Sequence, residues 1–332
     1  MICLGCLENR TLKNSYCPKC TRFLFNGISP KPLTFDKVGF YKERSEMAGR
    51  MSISGVQDKL SLHFEKDALI PTTVQGKYIL KPIPNIAQSG VDKLADIAAN
   101  EHVCMRISKD IFKINTAECG LIRFSDGELA YLTKRFDYVN DTIKYDQEDF
   151  AAIMNVTPAN SGKDYKYDAR SYLDCANKIR ELLPAYLPAL EEFFKRIVLN
   201  YLVGNADAHL KNFSIYRVPG KSDYQLTPNY NVLNTRYHIK NENADTGLIF
   251  SDNYTSTYNA VGFYTYTDFK HFADLIHMPN VRFNKIITLF EESIPKVESM
   301  IVKSFLSDEA KEFFVEFYTE RLHKRLLYTP RF

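Results

Sequence analysis

Short alternating runs typical of strands dominate the chain between residue 51 and Asp137. One stretch in this part, residues 91–107, instead spaces its apolar side chains as a helix does. The predicted strands are Leu60–Phe64, Lys77–Leu80, Gly120–Arg123 and Leu129–Thr133. The pattern therefore predicts a β-rich unit that contains one helix.

The pattern becomes mainly helical after Asp137. Helices are predicted at 147–155, 172–182 and 188–204, and helical spacing returns from residue 264 to the end. We expect an α+β chain with a β-rich amino-terminal lobe and a helical carboxy-terminal lobe. The predicted units are a small cysteine-containing unit (1–25), a first lobe (26–137) and a second lobe (138–332).

Composition and charge exclude few classes of function. The chain has 332 residues and a net charge of +3, which gives no general argument for binding nucleic acid or membranes. The first residues lack the pattern of a secretory signal, and no stretch reaches the roughly 18 apolar residues of a membrane span. We expect a cytoplasmic protein.

Four of the seven cysteines form two C-x2-C pairs near the amino terminus. Two such pairs supply four thiolates, which is the ligand set of a structural Zn²⁺ site. Two disulfides would need an oxidising compartment, and a redox pair would need only one C-x2-C. The sequence predicts a Zn²⁺ site at Cys3, Cys6, Cys17 and Cys20.

The segment NADAHLKNFS, residues 205–214, places Asp207 five positions before Asn212. Protein kinases use this spacing for a catalytic base and a metal ligand, and the intervening His209 and Lys211 would then face the phosphates. A polar loop that caps the preceding helix would show the same short pattern, so the spacing alone leaves both interpretations open.

Two further segments fit a phosphate site. Lys81 lies at the end of a predicted strand and Glu101 on the following predicted helix, in the order of the kinase lysine–glutamate pair. Residues 51–60, MSISGVQDKL, form a small-residue turn whose N–H groups suit phosphate oxygens. A surface lysine and an ordinary serine-rich turn are the alternatives.

Several blocks taken together resemble the HipA family of bacterial toxin kinases. They occur in the family's order at 52–61, 79–82, 100–105, 134–137, 147–151, 205–214 and 230–235. The resemblance covers roughly residues 50–330 and implies a two-lobed kinase-like fold that uses ATP and Mg²⁺ to phosphorylate serine or threonine on a protein.

The resemblance also implies a role for each matching residue. Asp207 would be the catalytic base, Glu101 the partner of Lys81, and Ser52 and Ser54 sites of autophosphorylation, where added negative charge would oppose ATP. Asn212 and Asn231 would be the Mg²⁺ ligands. The expected ATP-binding residues are Ser54, Gly55, Val56, Gln57, Asp58, Lys59, Lys81, Lys134, Arg135, Phe136, His209, Leu210, Lys211, Asn212, Tyr230 and Asn231.

The family further implies partners. These are a helix-turn-helix antitoxin similar to HipB, DNA through that antitoxin, and an aminoacyl-tRNA synthetase as substrate. Only 50 residues precede the serine loop here. That shortness resembles HipT, the kinase of three-gene systems in which a separate small protein, HipS, supplies the missing subdomain.

One position departs from the family pattern. Asn231 stands where the family has the metal-binding aspartate, and an amide lacks the negative charge that hard cations prefer. The substitution predicts weak Mg²⁺ binding and reduced phosphoryl transfer. Two hypotheses follow: an engineered inactive form of a toxin, favoured because the other motifs are complete, or a natural pseudokinase that acts as a binding module.

Overall fold

The computed structural model describes residues 1–11, 15–46, 58–84, 90–239 and 244–328. Most of the predicted phosphate loop, with Ser52, Ser54, Gly55, Val56 and Gln57, lies outside these ranges.

A five-stranded antiparallel sheet forms the first half of the fold, in the order β2-β1-β3-β5-β4. The strands are β1 (Leu60–Glu65), β2 (Ala68–Pro71), β3 (Tyr78–Lys81), β4 (Cys119–Arg123) and β5 (Leu129–Lys134). Alternate residues such as Leu60 and Leu62 are fully buried, which explains why a two-residue period marked the strand. All four predicted strands are confirmed within one or two residues.

In the described residues, three α-helices accompany this sheet: α1 (Pro18–Phe25), α2 (Lys37–Glu46) and α3 (Ile97–Arg106). Nine of the ten residues of α3 are buried, because it packs against β4 and β5. The predicted helix at 91–107 is therefore confirmed over its central part. Helix α2 was not predicted in the connector; its buried anchor is Phe40.

The second half of the fold is mainly helical. Helix α8 forms its centre and has eleven buried residues. The helices are α4 (Phe150–Ile153), α5 (Pro158–Ser161), α6 (Tyr165–Asp168), α7 (Tyr172–Leu182), α8 (Tyr186–Val203), α9 (Ser256–Val261), α10 (Tyr266–Leu275), α11 (Asn280–Glu292), α12 (Ile294–Lys303) and α13 (Asp308–Glu320).

A second, three-stranded sheet lies beside these helices in the order β6-β7-β8. Its strands are β6 (Asp146–Asp149), β7 (Ser214–Arg217) and β8 (Gln225–Leu226). The predicted helix at 147–155 is wrong over its first part, because residues of β6 pair with β7 and the helix begins only at Phe150. Distant pairing overrides local preference here. Within the described ranges, every helix is too short or too polar to span a membrane.

Candidate active site

A buried ion pair lies where β3 and α3 face each other. Lys81 Nζ donates to Glu101 Oε1 at 2.7 Å, and the two side chains are 11% and 4% exposed. Burial of two charges is tolerated because each satisfies the other. Lys81 ends the strand and Glu101 lies in the middle of the helix, so the fold brings together residues 20 positions apart.

The loop that carries Asp207 begins where α8 ends. Gly204 adopts a φ of +75°, and a Cβ there would lie 2.6 Å from the Phe317 ring, so glycine is required on both grounds. Thr235 then ties the loop to a distant segment: its Oγ1 accepts from the Ala206 amide and donates to the Gly204 carbonyl, both at 3.0 Å.

Ala208, next to Asp207, is enclosed from two sides. The Tyr172 hydroxyl donates to the Ala208 carbonyl at 2.9 Å. Gly247 packs so closely that a Cβ would lie 2.3 Å from the Ala208 carbonyl carbon. The backbone beside Asp207 is therefore fixed by packing that a larger residue at 247 would destroy.

Asn231 bridges the two halves of the cleft. Its Oδ1 accepts from Lys81 Nζ at 3.1 Å, and its Nδ2 donates to Asp207 Oδ2 at 3.4 Å. Lys81 has only protons to offer, so the amide oxygen must face it and the amide nitrogen must face Asp207. The bridge places Lys81 and Asp207 in one cleft.

Asn212 completes this end of the cleft. Its Nδ2 donates to the Asp207 backbone carbonyl and, at 3.4 Å, to Asp207 Oδ2. Asn231 has a φ of +56°, a left-handed conformation that asparagine tolerates better than most residues. Two amides thus surround one carboxylate, and both present N–H groups to it.

This donor set does not fit a tightly held Mg²⁺. Hard divalent cations prefer several charged oxygens, whereas the predicted Mg²⁺ ligands Asn212 and Asn231 are both neutral amides, and the Asn231 oxygen already accepts from Lys81. Asp207 beside them carries one negative charge, and an aspartate at 231 would supply a second; the reduced metal binding stays a prediction.

Lys59 lies near the buried ion pair. Burial, with the neighbouring Lys81 cation, lowers the pKa of Lys59 to about 8 despite the opposing effect of Glu101. An anionic ligand beside it would favour the charged form. Asp58 turns outward and pairs with Arg44 at 2.7 Å, so the structure places only Lys59 of these two beside the cleft charges.

Four of the expected ATP-binding residues, Lys134, Arg135, Phe136 and Tyr230, separate in the structure. The Phe136 ring lies 5.5 Å from the Tyr230 ring, and the Tyr230 hydroxyl is anchored to the Lys211 carbonyl at 3.0 Å. Lys134 instead extends toward the cysteine unit, where its Nζ donates to Asn26 Oδ1 at 2.6 Å. Arg135 pairs with the side chain of Asp137.

His209 lies in the same loop as Asp207. Its Nδ1 accepts from the Lys211 amide at 3.2 Å, and its Nε2 lies 3.6 Å from Asp207 Oδ1. Burial lowers the pKa of His209, so the imidazole is neutral at pH 7 with its proton on Nε2. Leu210 is fully buried and serves the packing of the loop.

Two side chains in the site were not expected from the sequence. The Tyr167 hydroxyl, on the short helix α6, donates to Asp207 Oδ1 at 2.5 Å. Asp149 pairs with Lys211 at 2.7 Å, which directs that lysine toward α4. Tyr167 has no sequence signal, and Asp149 lies in the family-like block 147–151 without a predicted role, because both reach the loop from segments about 40 to 60 positions away.

The four amino-terminal cysteines converge. All are buried and their Sγ atoms lie within 4.8 Å of one another, with Cys6 and Cys17 at 3.7 Å. Four thiolates about 2.3 Å from one Zn²⁺ would lie about 3.8 Å apart. The amide groups of Gly5 and Cys17 donate to Cys3 Sγ at 3.4 and 3.2 Å, as they do around metal-bound thiolates.

An antiparallel sheet that carries a buried Lys–Glu pair, facing a loop with an Asp and an Asn, defines a kinase-like protein. The sequence profile of the HipA-like C-terminal domain matches residues 51–298, well over half of the chain. The chain belongs to the HipA family.

Among related sequences, a Haemophilus influenzae protein named "Putative kinase" is 28% identical over 308 residues, which cover 87% of this chain and 86% of that protein. The serine/threonine-protein kinase toxin HipA of Shewanella oneidensis is 24% identical over 207 residues, 55% of this chain and 43% of the toxin. The chain thus spans most of the first relative and less than half of the second.

Solved structures agree on the fold. The Shewanella oneidensis HipA in a complex with HipB and operator DNA superimposes with a TM-score of 0.60 at 20% identity, covering 84% of this chain and 65% of HipA. The Helicobacter pylori proinflammatory kinase CtkA gives a TM-score of 0.50 at 16% identity, with 80% and 90% covered.

Proposed function

We propose that this protein is a serine/threonine protein kinase that uses ATP and acts as the toxin of a toxin–antitoxin system. The observation that carries the proposal is the chain of contacts from Glu101 through Lys81 and Asn231 to Asp207. Phosphate-binding and proton-accepting groups therefore share one cleft, in the order that phosphoryl transfer requires.

Each group then has a role. Asp207 accepts the proton of the substrate hydroxyl, whose oxygen attacks the γ-phosphorus as the bond to the β–γ bridging oxygen breaks. Lys81 and Lys59 hold the phosphates, and Phe136 with Tyr230 offers an aromatic surface to adenine. Asn212, His209 and Lys211 fix the loop that carries Asp207.

We further propose that the amide of Asn231 reduces this activity. Mg²⁺ normally neutralises charge between the phosphates and the protein, and a site with one carboxylate holds it weakly. The N–H group that Asn231 donates to Asp207 Oδ2 also occupies one of the two oxygens of the carboxylate that receives the substrate proton.

The relatives suggest the biological setting. The HipA neighbour assembles with HipB and operator DNA, which supports a HipB-like antitoxin as partner, with DNA contacted only through it. An aminoacyl-tRNA synthetase as substrate, a HipS-like companion protein, membership in the short HipT group and autophosphorylation at Ser52 and Ser54 are finer proposals from the same resemblance. The sulfur geometry supports Zn²⁺ as the ion of the cysteine cluster.

The decisive experiment compares the native chain with Asn231→Asp, each incubated with labelled ATP and cell lysate. We expect the aspartate to raise label transfer by roughly 100-fold, the scale of one electrostatic contact to a transition state. Mass spectrometry should then find phosphate on Ser52 or Ser54 and on a single major lysate protein. Asn231→Asp combined with Asp207→Asn is the matched control and should transfer no label.

A second candidate, a nucleotide-binding pseudokinase that acts by docking to its partner, is favoured by Asn231 alone. It predicts that both versions bind ATP and neither transfers phosphate. Absence of ATP binding by both folded versions would contradict either proposal.

A further inference from the structure

The cysteine unit, residues 1–11 and 15–26, is attached to the kinase sheet and to α3. On the sheet side, the Leu121 amide donates to the Leu4 carbonyl at 2.9 Å, and the Tyr16 hydroxyl donates to the Leu121 carbonyl at 2.6 Å. The Tyr78 hydroxyl, three residues before Lys81, donates to the Leu24 carbonyl at 3.0 Å.

A buried side chain of α3, His102, makes a hydrogen bond to the cysteine unit. His102, which is 1% exposed, directs Nε2 to the Gly5 carbonyl at 3.0 Å. A carbonyl only accepts, so Nε2 carries the proton and donates. Gly5 lies between Cys3 and Cys6 in the first C-x2-C turn, and its own N–H bonds to Cys3 Sγ. The position of this carbonyl is therefore set by the same turn that supplies two of the thiolates.

Three consecutive residues of α3 face three different parts of the molecule. Neighbours on a helix point about 100° apart. Asn100 binds the backbone of Asn234 from both its amide atoms, at 2.8 and 3.0 Å. Glu101 pairs with Lys81, and His102 binds the cysteine unit. Asn100 and His102, the residues before and after Glu101, thus both tie α3 to other parts of the molecule. Together they fix the rotation of α3, which decides where Glu101 points.

The unit packs closely against the sheet at Gly120. A Cβ on Gly120 of β4 would lie 3.0 Å from Leu24 and 3.1 Å from the Leu4 carbonyl. The backbone of the unit thus touches the backbone of the sheet, and the turn around the cysteines is built from buried residues. A metal that closes the four thiolates would stabilise the turn on which His102 depends.

We propose that the metal-bound cysteine unit sets the rotation of α3, and that His102 is the positioning residue through which it aligns Glu101 with Lys81. The inference rests on the proposed nucleotide-binding function of Lys81. The ligand of the unit is a thiophilic divalent cation, with Zn²⁺ as the expected ion.

The test uses the full chain in four forms: metal-loaded and metal-stripped, each with His102 and with His102→Leu. Metal is released with an organomercurial and chelator, the chelator is removed, and metal content is measured by elemental analysis. Affinity for a fluorescent ATP analogue and hydrogen exchange of residues 97–106 are the two readouts. Hydrogen exchange reports the link between the cysteine unit and α3 even if no nucleotide binds. Failure of the proposed function can therefore be told apart from failure of this inference.

We expect stripping and His102→Leu each to weaken nucleotide binding about fivefold to tenfold, the scale of one buried hydrogen bond. Together they should do no more than either alone, because both break the same link. His102→Gln, whose amide N–H can replace Nε2, should restore binding to within about threefold at unchanged metal content. His102→Asn, too short to reach Gly5, replaces the leucine variant if that one does not fold.

Tyr16→Phe is the matched control. It removes a hydrogen bond that joins the same unit to β4 rather than to α3. It should lower the melting temperature yet leave nucleotide affinity and exchange of α3 as in the native chain. The proposal is overturned if His102→Leu leaves both readouts unchanged, or if Tyr16→Phe alters them as strongly as His102→Leu.

Discussion

The two ends of the cleft are built from opposite kinds of chemistry. At one end Lys81 and Glu101 are charged, buried and paired at 2.7 Å. At the other end a single carboxylate, Asp207, lies between the amides of Asn212 and Asn231. At the first end, the two charges already satisfy each other. At the second end, Asn231 donates a hydrogen bond where the family has a charged aspartate. The comparison suggests that nucleotide binding and phosphoryl transfer are separable here.

Breaking the charged end should have the largest effect. Lys81→Met leaves Glu101 buried without its partner, which should lower the free energy of unfolding by about 3–5 kcal/mol. Nucleotide binding should disappear as well, because the phosphates lose their main cation. Urea denaturation and a fluorescent ATP analogue measure the two effects.

The control for this change is Lys81→Met combined with Glu101→Gln. Removing both charges should recover most of the lost stability, because no unpaired ion remains, but should not recover nucleotide binding. Equal stability of the single and double variants would contradict the buried pair as described.

A negative charge at residue 231 should make the Asp207 end of the cleft respond to Mg²⁺. Without Mg²⁺, Asn231→Asp places a second carboxylate beside Asp207 and removes an N–H donor, so stability should fall by about 1–2 kcal/mol. Added Mg²⁺ should reverse the loss, which thermal melts with and without the ion will show. Asn231→Ala loses this N–H donor, and also the oxygen that accepts from Lys81, without adding charge, so its melting temperature should not respond to Mg²⁺.

The charged end and the cysteine cluster were easier to predict than the amide end. The two C-x2-C pairs lie within 18 residues, so local turns bring the thiolates together. The convergence of the cysteines is confirmed, while the identity of the ion stays a prediction. Lys81 lay on a predicted strand and Glu101 on a predicted helix, and the structure contains both elements.

What sequence reasoning missed depends on distant contacts. Tyr167 reaches Asp207 from a four-residue helix that has no periodic pattern to detect. The strand β6 has one intermediate and three exposed residues, so no buried face marks it, and it exists because it pairs with β7. The family resemblance located Lys134 in the sequence but could not predict where its side chain points. That side chain donates to Asn26.

Removing the hydroxyl of Tyr167 tests how the amide end is occupied. This hydroxyl donates to Asp207 Oδ1, where a substrate hydroxyl would bind. Tyr167→Phe should cost about 1 kcal/mol of stability, because water replaces the bond at a partly exposed carboxylate. In the Asn231→Asp background it should increase ATP hydrolysis, with water as acceptor. Unchanged hydrolysis would mean that Tyr167 does not compete for Asp207.

A further effect is a pH dependence at the charged end. The pKa of Lys59 is about 8 in the folded chain, below the value of about 10.4 expected when unfolded. The unfolded chain therefore binds more protons between these values, and Lys59 makes stability rise with pH across that window.

Nucleotide binding should depend on pH in the opposite direction, because phosphates favour the charged lysine. ATP affinity should be highest below pH 8 and fall by up to about tenfold for each unit by which the nucleotide raises the pKa of Lys59. Titration calorimetry from pH 7 to 10 measures this. Lys59→Arg keeps its charge throughout that range and should give a flat profile. A flat profile for the native chain would place the phosphates beyond the reach of Lys59, leaving Lys81 as the cation that binds them.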